Sequence, residues 1–125
     1  HAAFDVSGNG GVIRFEPLVQ QHGSILSLGF RIGSFAYCPD VSDFPAATVE
    51  KLQGLDVLVI DALQHRPHPS HLSLDESVAW IERLKPKQAI LTHMHTPLDY
   101  DETARSLPAG IVPGFDGLTL EMQTD

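Results

Sequence analysis

The chain has 125 residues, is 42% hydrophobic and 19% charged, and carries a net charge of −8. Such a composition describes a globular protein, not a disordered one, and the acidic balance argues against a nucleic-acid partner, which needs a basic face. No apolar run approaches the roughly 20 residues that span a bilayer, so no membrane partner is expected. The single cysteine, Cys38, excludes an internal disulfide. With no charged-then-apolar leader in view, a cytoplasmic location is expected.

In chain order, residues 1–11 are small, polar and glycine-rich and predict a loop or fraying end. Residues 11–16 predict a first strand, broken by Pro17, and 18–22 a second short extended piece. The run 25–32 alternates, with Leu26, Leu28, Phe30 and Ile32 on one face. Gly33-Ser34 predicts a tight turn, and 35–38 a strand pairing back as a hairpin. Residues 44–53 predict a short helix with Pro45 in its first turn, Gly54 at its end and Asp43 as its cap. Asp56 to Asp61 holds four consecutive large aliphatics, which predicts a buried strand covered by helices.

Residues 62–70 predict a loop rich in His and Pro. Ser73-Leu74-Asp75-Glu76 is a capping box, a serine with glutamate three residues on, opening a helix to about Lys85 that Pro86 stops. Residues 88–92 form a short apolar run that stops on His93 and His95. That pattern predicts a buried strand with an imidazole at its end, where layered α/β proteins place chemistry. A weak helix over 101–107 and closing strands at 111–112 and 118–122 complete the reading. Strand–helix–strand order implies at least one parallel unit, with Val57 to Ile60 beside Ala89 to Leu91, in an α/β or mixed α+β fold.

The chain holds seven histidines, five of them at positions 65, 68, 71, 93 and 95. Ligand-type groups follow four of the expected strands: His22, Asp40, the loop from Asp61 to His71, and His93. If these strand ends share one sheet edge, imidazole and carboxylate converge there in a set that suits Zn²⁺, Mn²⁺ or Fe²⁺. Each residue also has an ordinary structural role open to it. His22 could simply bond backbone, Asp40 could form a turn, His71 could sit at a helix entry, and His93 could cap the sheet. Cys38 reads as a small buried side chain and Trp80 as packing.

Gln20-Gln21-His22-Gly23, the Leu-Gly-Phe-Arg-Ile strand, Tyr37-Cys38-Pro39-Asp40, Val59-Ile60-Asp61-Ala62, Ser70-His71-Leu72-Ser73 and Leu91-Thr92-His93 together resemble the metallo-β-lactamase-fold hydrolases. The resemblance runs from about Val12 to Met122 and is strongest to the phosphodiesterase branch, typified by phosphoribosyl cyclic phosphodiesterase. It implies that His22, Asp40 and His93 are metal ligands, Asp40 bridging two metals. It implies that His71 is a catalytic, non-ligand histidine near the scissile phosphate. Asp61, His68 and His95 are expected behind the ligands or against substrate.

The family's His-x-His-x-Asp-His run is not in this sequence. The resemblance therefore implies a single unit over 1–125, the C-terminal half of a four-layer αββα sandwich, belonging to a longer chain. The implied cofactors are two divalent ions, Zn or Mn with Fe as a further candidate. The implied reaction is hydrolysis of a small cyclic or nucleotide-like phosphodiester by a hydroxide bridging the two metals. An inert fragment and a hydrolase of thioesters or lactones are the alternatives. The implied partners are the N-terminal half of the same domain or a second copy, because an incomplete sandwich exposes an apolar sheet face.

Overall fold

The computed structural model describes residues 2–94 and 100–122. Its strands are β1 (Phe4–Gly8), β2 (Gly11–His22), β3 (Ile25–Ile32), β4 (Phe35–Cys38), β5 (Val57–Asp61), β6 (Gln88–Thr92) and β7 (Ile111–Pro113). Its helices are α1 (Ala46–Lys51), α2 (Leu74–Leu84) and α3 (Tyr100–Ser106). The strands form one seven-stranded sheet in sequential order, β1 to β7. Pairing is antiparallel from β1 to β4 and parallel from β4 to β7. The expected parallel unit is present, with Leu58 opposite Ala89 and Ile60 opposite Leu91.

Period-2 alternation splits the sheet into two unlike faces. Leu18, Ala36, Cys38, Leu58, Ile60, Ala89 and Leu91 are buried, in one core cluster with Phe44, Leu52, Leu74, Ile81 and Leu84 from the α1 and α2 regions. Phe44 meets Trp80 edge-on, and Arg83 lies over the same indole. The capping box is as expected: Ser73 Oγ accepts from Glu76 N–H, and Glu76 Oε1 accepts from Ser73 N–H.

The opposite face carries no helix among the described residues. Phe4, Val6, Ile13, Leu28, Tyr37 and Val112 are exposed large hydrophobics on it. Leu26, Leu28, Phe30 and Ile32 do share a face, and it is this open one. Helices therefore cover β5 on one side only, not on both as its apolar run suggested.

Four further expectations are corrected. Residues 4–8 form a strand, because Asn9-Gly10 supplies a hairpin turn and Phe4 stacks on Phe15 at 5.3 Å. Pro17 does not break β2: it lies past Phe15, the last residue paired with β1, where a missing N–H costs no ladder bond on that side. Residues 118–122 pair with no strand among the described residues. Leu118 and Leu120 instead line a cleft of about 600 Å³ with Phe35, Tyr37 and Ile90, so this segment lies over part of the open face. Asp43 does not cap α1, whose N-cap is Pro45 with no side-chain bond. The Asp43 carbonyl accepts from Gln21 N–H at 3.0 Å instead.

Candidate metal centre

The ends of β2, β4, β5 and β6 converge. His22 is the last residue of β2 and Asp61 the last of β5, while Asp40 and His93 sit just beyond β4 and β6. Parallel pairing of β4, β5 and β6 puts three of these ends on one edge. His71 arrives from the loop before α2, and its ring meets those of His22 and His93 edge-on and that of His68 at a tilt. His71 is 4.8 Å from His22, 4.8 Å from His93 and 5.3 Å from His68, centroid to centroid.

Asp40 and His93 both leave their strands in the left-handed region, at φ 48° and 61°. Neither is glycine, and such backbone is disfavoured for residues with a Cβ. The turns aim the two side chains at each other: Asp40 Oδ1 lies 3.1 Å from His93 Nδ1. One ligand atom each from Asp40, His71 and His93 falls within a 4.8 Å span.

Asp61 organises this group from beneath. It is fully buried. Its Oδ2 accepts from His71 Nδ1–H at 2.6 Å and from Val41 N–H at 3.1 Å. Its backbone carbonyl accepts from Ser77 Oγ, on the first turns of α2. Burial pushes the Asp61 carboxyl above the usual carboxylate range, opposed by the His71 and Val41 hydrogen bonds. Oδ1 has no hydrogen-bond partner among the described residues and lies 3.7 Å from His93 Nδ1.

The hydrogen bonds also sort the imidazoles by tautomer. His22 Nδ1–H donates to the Ser70 carbonyl at 2.8 Å, and His71 Nδ1–H donates to Asp61. Both neutral rings then keep a lone pair on Nε2, the form a metal ligand or general base needs. His68 differs: its Nδ1 accepts from Ser70 N–H at 3.1 Å, so neutral His68 carries its proton on Nε2 and is a donor.

Of the residues singled out from sequence, His22, Asp40, Asp61, His68, His71 and His93 are thus brought together. His95 lies outside the described residues. Among the described residues, the group of ligand atoms within 4.8 Å contains His71, expected as a non-ligand, and not His22. The residues that sequence reading passed over are those holding the turns. Gln20 and Ser27 bond the main chain at Pro39 and Asp40, and Ser42 ties Gly23 to Gln21. Isolated polar side chains of this kind carry no sequence motif.

The donor set fits a divalent metal. A carboxylate and imidazoles converge on one point, a buried carboxylate steadies one imidazole, and a buried oxygen with no hydrogen-bond partner among the described residues faces another.

Residues 1–94 match the model of the beta-lactamase superfamily domain. Among solved structures, the chain superposes on one described as a new diphosphatase from the PhnP family. The TM-score is 0.94 with 44% identity, over 99% of this chain and 47% of that one. The metallo-beta-lactamase fold protein YhfI from Bacillus subtilis superposes with a TM-score of 0.70 at 15% identity, over 92% of this chain and 51% of that one. The short form of human tRNase Z does so at 0.66 and 16%, over 90% and 43%. The last two likenesses are of fold alone. An octanoyltransferase from Porphyromonas gingivalis is 35% identical over 106 residues, 82% of this chain but 21% of that protein. The chain spans about half the length of the diphosphatase and about a fifth of the octanoyltransferase.

Proposed function

The chain belongs to the beta-lactamase superfamily, and on that premise we propose that it carries one part of the active site of a metal-dependent phosphodiesterase. The observation behind this reading is the convergence of Asp40, His71 and His93 ligand atoms within 4.8 Å. Its second support is the 44% identity to a PhnP-family diphosphatase. In this reading Asp40, His93 and His22 hold two divalent ions, Zn or Mn, together with ligands from elsewhere in a complete protein. Bound divalent ions polarise a phosphoryl oxygen and make water a nucleophile at neutral pH.

The chain's own residues do the rest. Asp61 fixes His71 as the Nδ1–H tautomer, so any further proton it takes up sits on Nε2, the nitrogen free of Asp61. From there His71 protonates the leaving oxygen or stabilises the charge that develops on it. His68 offers its Nε2–H as a donor to a phosphoryl oxygen beside His71. The substrate is a small cyclic or nucleotide-like phosphodiester, not a polymeric nucleic acid, given the net charge of −8.

The open face of the sheet is the seat of a second sheet, the N-terminal half of the same domain, with a second copy of the chain as the other occupant. Its exposed Phe4, Val6, Ile13, Leu28 and Tyr37 form too large an apolar surface to be left in water. Compartment follows the sequence reading, cytoplasmic. Among the described residues, no helix is long and apolar enough to cross a membrane.

The test is a substrate panel on the complete protein with its metal content measured: bis(p-nitrophenyl) phosphate, a thioester and a lactone. Turnover of the phosphodiester with about two metals per chain is expected. Turnover of the thioester or the lactone instead would favour the second reading, a hydrolase of a different ester. Absence of both metal and turnover would leave an inert fold.

A further inference from the structure

We propose that Gln20 and Ser27 are positioning residues that set the backbone of Asp40, and through it the affinity of the site for metal. The inference rests on the functional reading above. Asp40 holds a left-handed conformation at φ 48° although its side chain is about half exposed at 48%. An exposed aspartate has no packing of its own to keep it there. The restraint lies in the two peptide planes that flank its Cα.

Both planes are pinned from one side. Gln20 Nε2 donates to the Pro39 carbonyl at 2.7 Å, which fixes the plane before Asp40. Ser27 Oγ donates to the Asp40 carbonyl at 2.7 Å, which fixes the plane after it. Gln20 Nε2 also donates to Ser27 Oγ at 3.0 Å, so the two anchors are coupled. The second plane is held again at its other end, where Val41 N–H donates to Asp61 Oδ2 at 3.1 Å. With both planes fixed, φ and ψ of Asp40 are fixed, and its carboxylate is aimed at His93.

The fold makes room for this clamp. Gln20 is fully buried, and its Oε1 has no partner among the described residues, which is costly for an amide. Gly29 lies against it, where a Cβ would stand 2.5 Å from Oε1. Gln20 and His22 sit two residues apart on the same face of β2. The clamp therefore ties the turn bearing Asp40 to the strand that ends in His22.

The experiment is a Zn²⁺ titration of the complete protein against a chromophoric chelator, with thermal melts of the metal-free forms. Ser27→Ala removes one hydroxyl, Gln20→Met replaces the amide with a side chain of similar volume, and Ser27→Thr keeps the hydroxyl. Ser27→Ala and Gln20→Met are expected to fold and to bind Zn²⁺ about 10- to 100-fold more weakly, the usual effect of groups behind metal ligands. Ser27→Thr should bind like the parent. If Ser27→Ala and the parent bind Zn²⁺ equally, the clamp is overturned while the metal reading stands. If the parent itself takes up no Zn²⁺, both fall. Should Gln20→Met fail to fold, Ser27→Ala decides alone.

Discussion

His71 and the fully buried Asp61 form a pair at the carboxyl end of β5, with Nδ1 of the imidazole 2.6 Å from Oδ2 of the carboxylate. The same Oδ2 holds Val41 N–H, so one oxygen ties the loop before α2 to the turn after β4. A change at Asp61 therefore reaches two site residues that are far apart in sequence.

His71→Ala in the complete protein should lower phosphodiester turnover by about 10²- to 10⁴-fold, the range for a general acid–base group. Metal content should be unchanged. Because His71 belongs to the tight ligand-atom group, metal analysis is the decisive measurement, and loss of an ion would reassign it as a ligand.

Asp61→Asn keeps the size of the side chain and its acceptor for Val41 N–H while removing its charge. It should lower turnover about 10- to 100-fold, in line with other groups that orient a site histidine. The imidazole ¹⁵N shifts of His71 give an independent check, since the Nδ1–H tautomer should lose its population advantage. An unaltered tautomer would show that Asp61 does not set it.

Asp40→Ala and His93→Ala should each reduce bound metal, with little loss of stability in the metal-free protein, because both side chains are nearly half exposed. Metal stoichiometry by mass spectrometry or elemental analysis reads the outcome directly. Retention of the full complement in both variants would remove these residues from the ligand set.

Cys38 is fully buried, and desolvation pushes its thiol from an ordinary 9.0 up to about 12. The thiolate is the reactive form, so the native protein should resist alkylation at about pH 8 and react only once unfolded. The linkage sign follows from a raised folded value. The neutral thiol's contribution to stability is complete below the unfolded value and is lost as pH climbs towards about 12. Alkaline melts of the parent and of Cys38→Ala should differ in slope across that window.

Gly29→Ala would place a Cβ 2.5 Å from Gln20 Oε1 and 2.6 Å from the Tyr37 carbonyl. The carbonyl belongs to the neighbouring strand and has little room to move. A cost of about 1–3 kcal/mol is expected, as for overpacking generally. It is measured as a lower melting temperature, and no change would mean that the two strands part more easily than their pairing implies.

The parallel core was legible because its strands read as continuous aliphatic runs, Val57 to Ile60 and Ala89 to Leu91. The capping box at Ser73 and Glu76 was legible because both partners are local. The hairpin of Phe4–Gly8 with β2 was missed although Asn9-Gly10 between alternating residues signals one; glycine content suggested a loop or fraying end. Pro17 misled because its effect depends on which neighbour a strand has at that point. Residues 118–122 misled because the pull of the open face on Leu118 and Leu120 is tertiary.

The site divides in the same way. Strand-end residues were visible one by one, at His22, Asp40 and His93. Asp61 was expected behind them, but the hydrogen bonds that join the group were not visible, since Asp61 lies ten residues from His71 and Gln20 nineteen from Pro39. Spacings of that kind have no periodicity to announce them.

The left-handed turns at Asp40 and His93 set the molecule's robustness against its chemistry. Glycine at either position would relieve backbone strain of about 1–3 kcal/mol. A screen that rewarded heat resistance alone would therefore favour Asp40→Gly and His93→Gly, and each gain in melting temperature would arrive with a ligand erased. Stabilisation of this protein has to be sought away from the two residues the backbone is least content to hold.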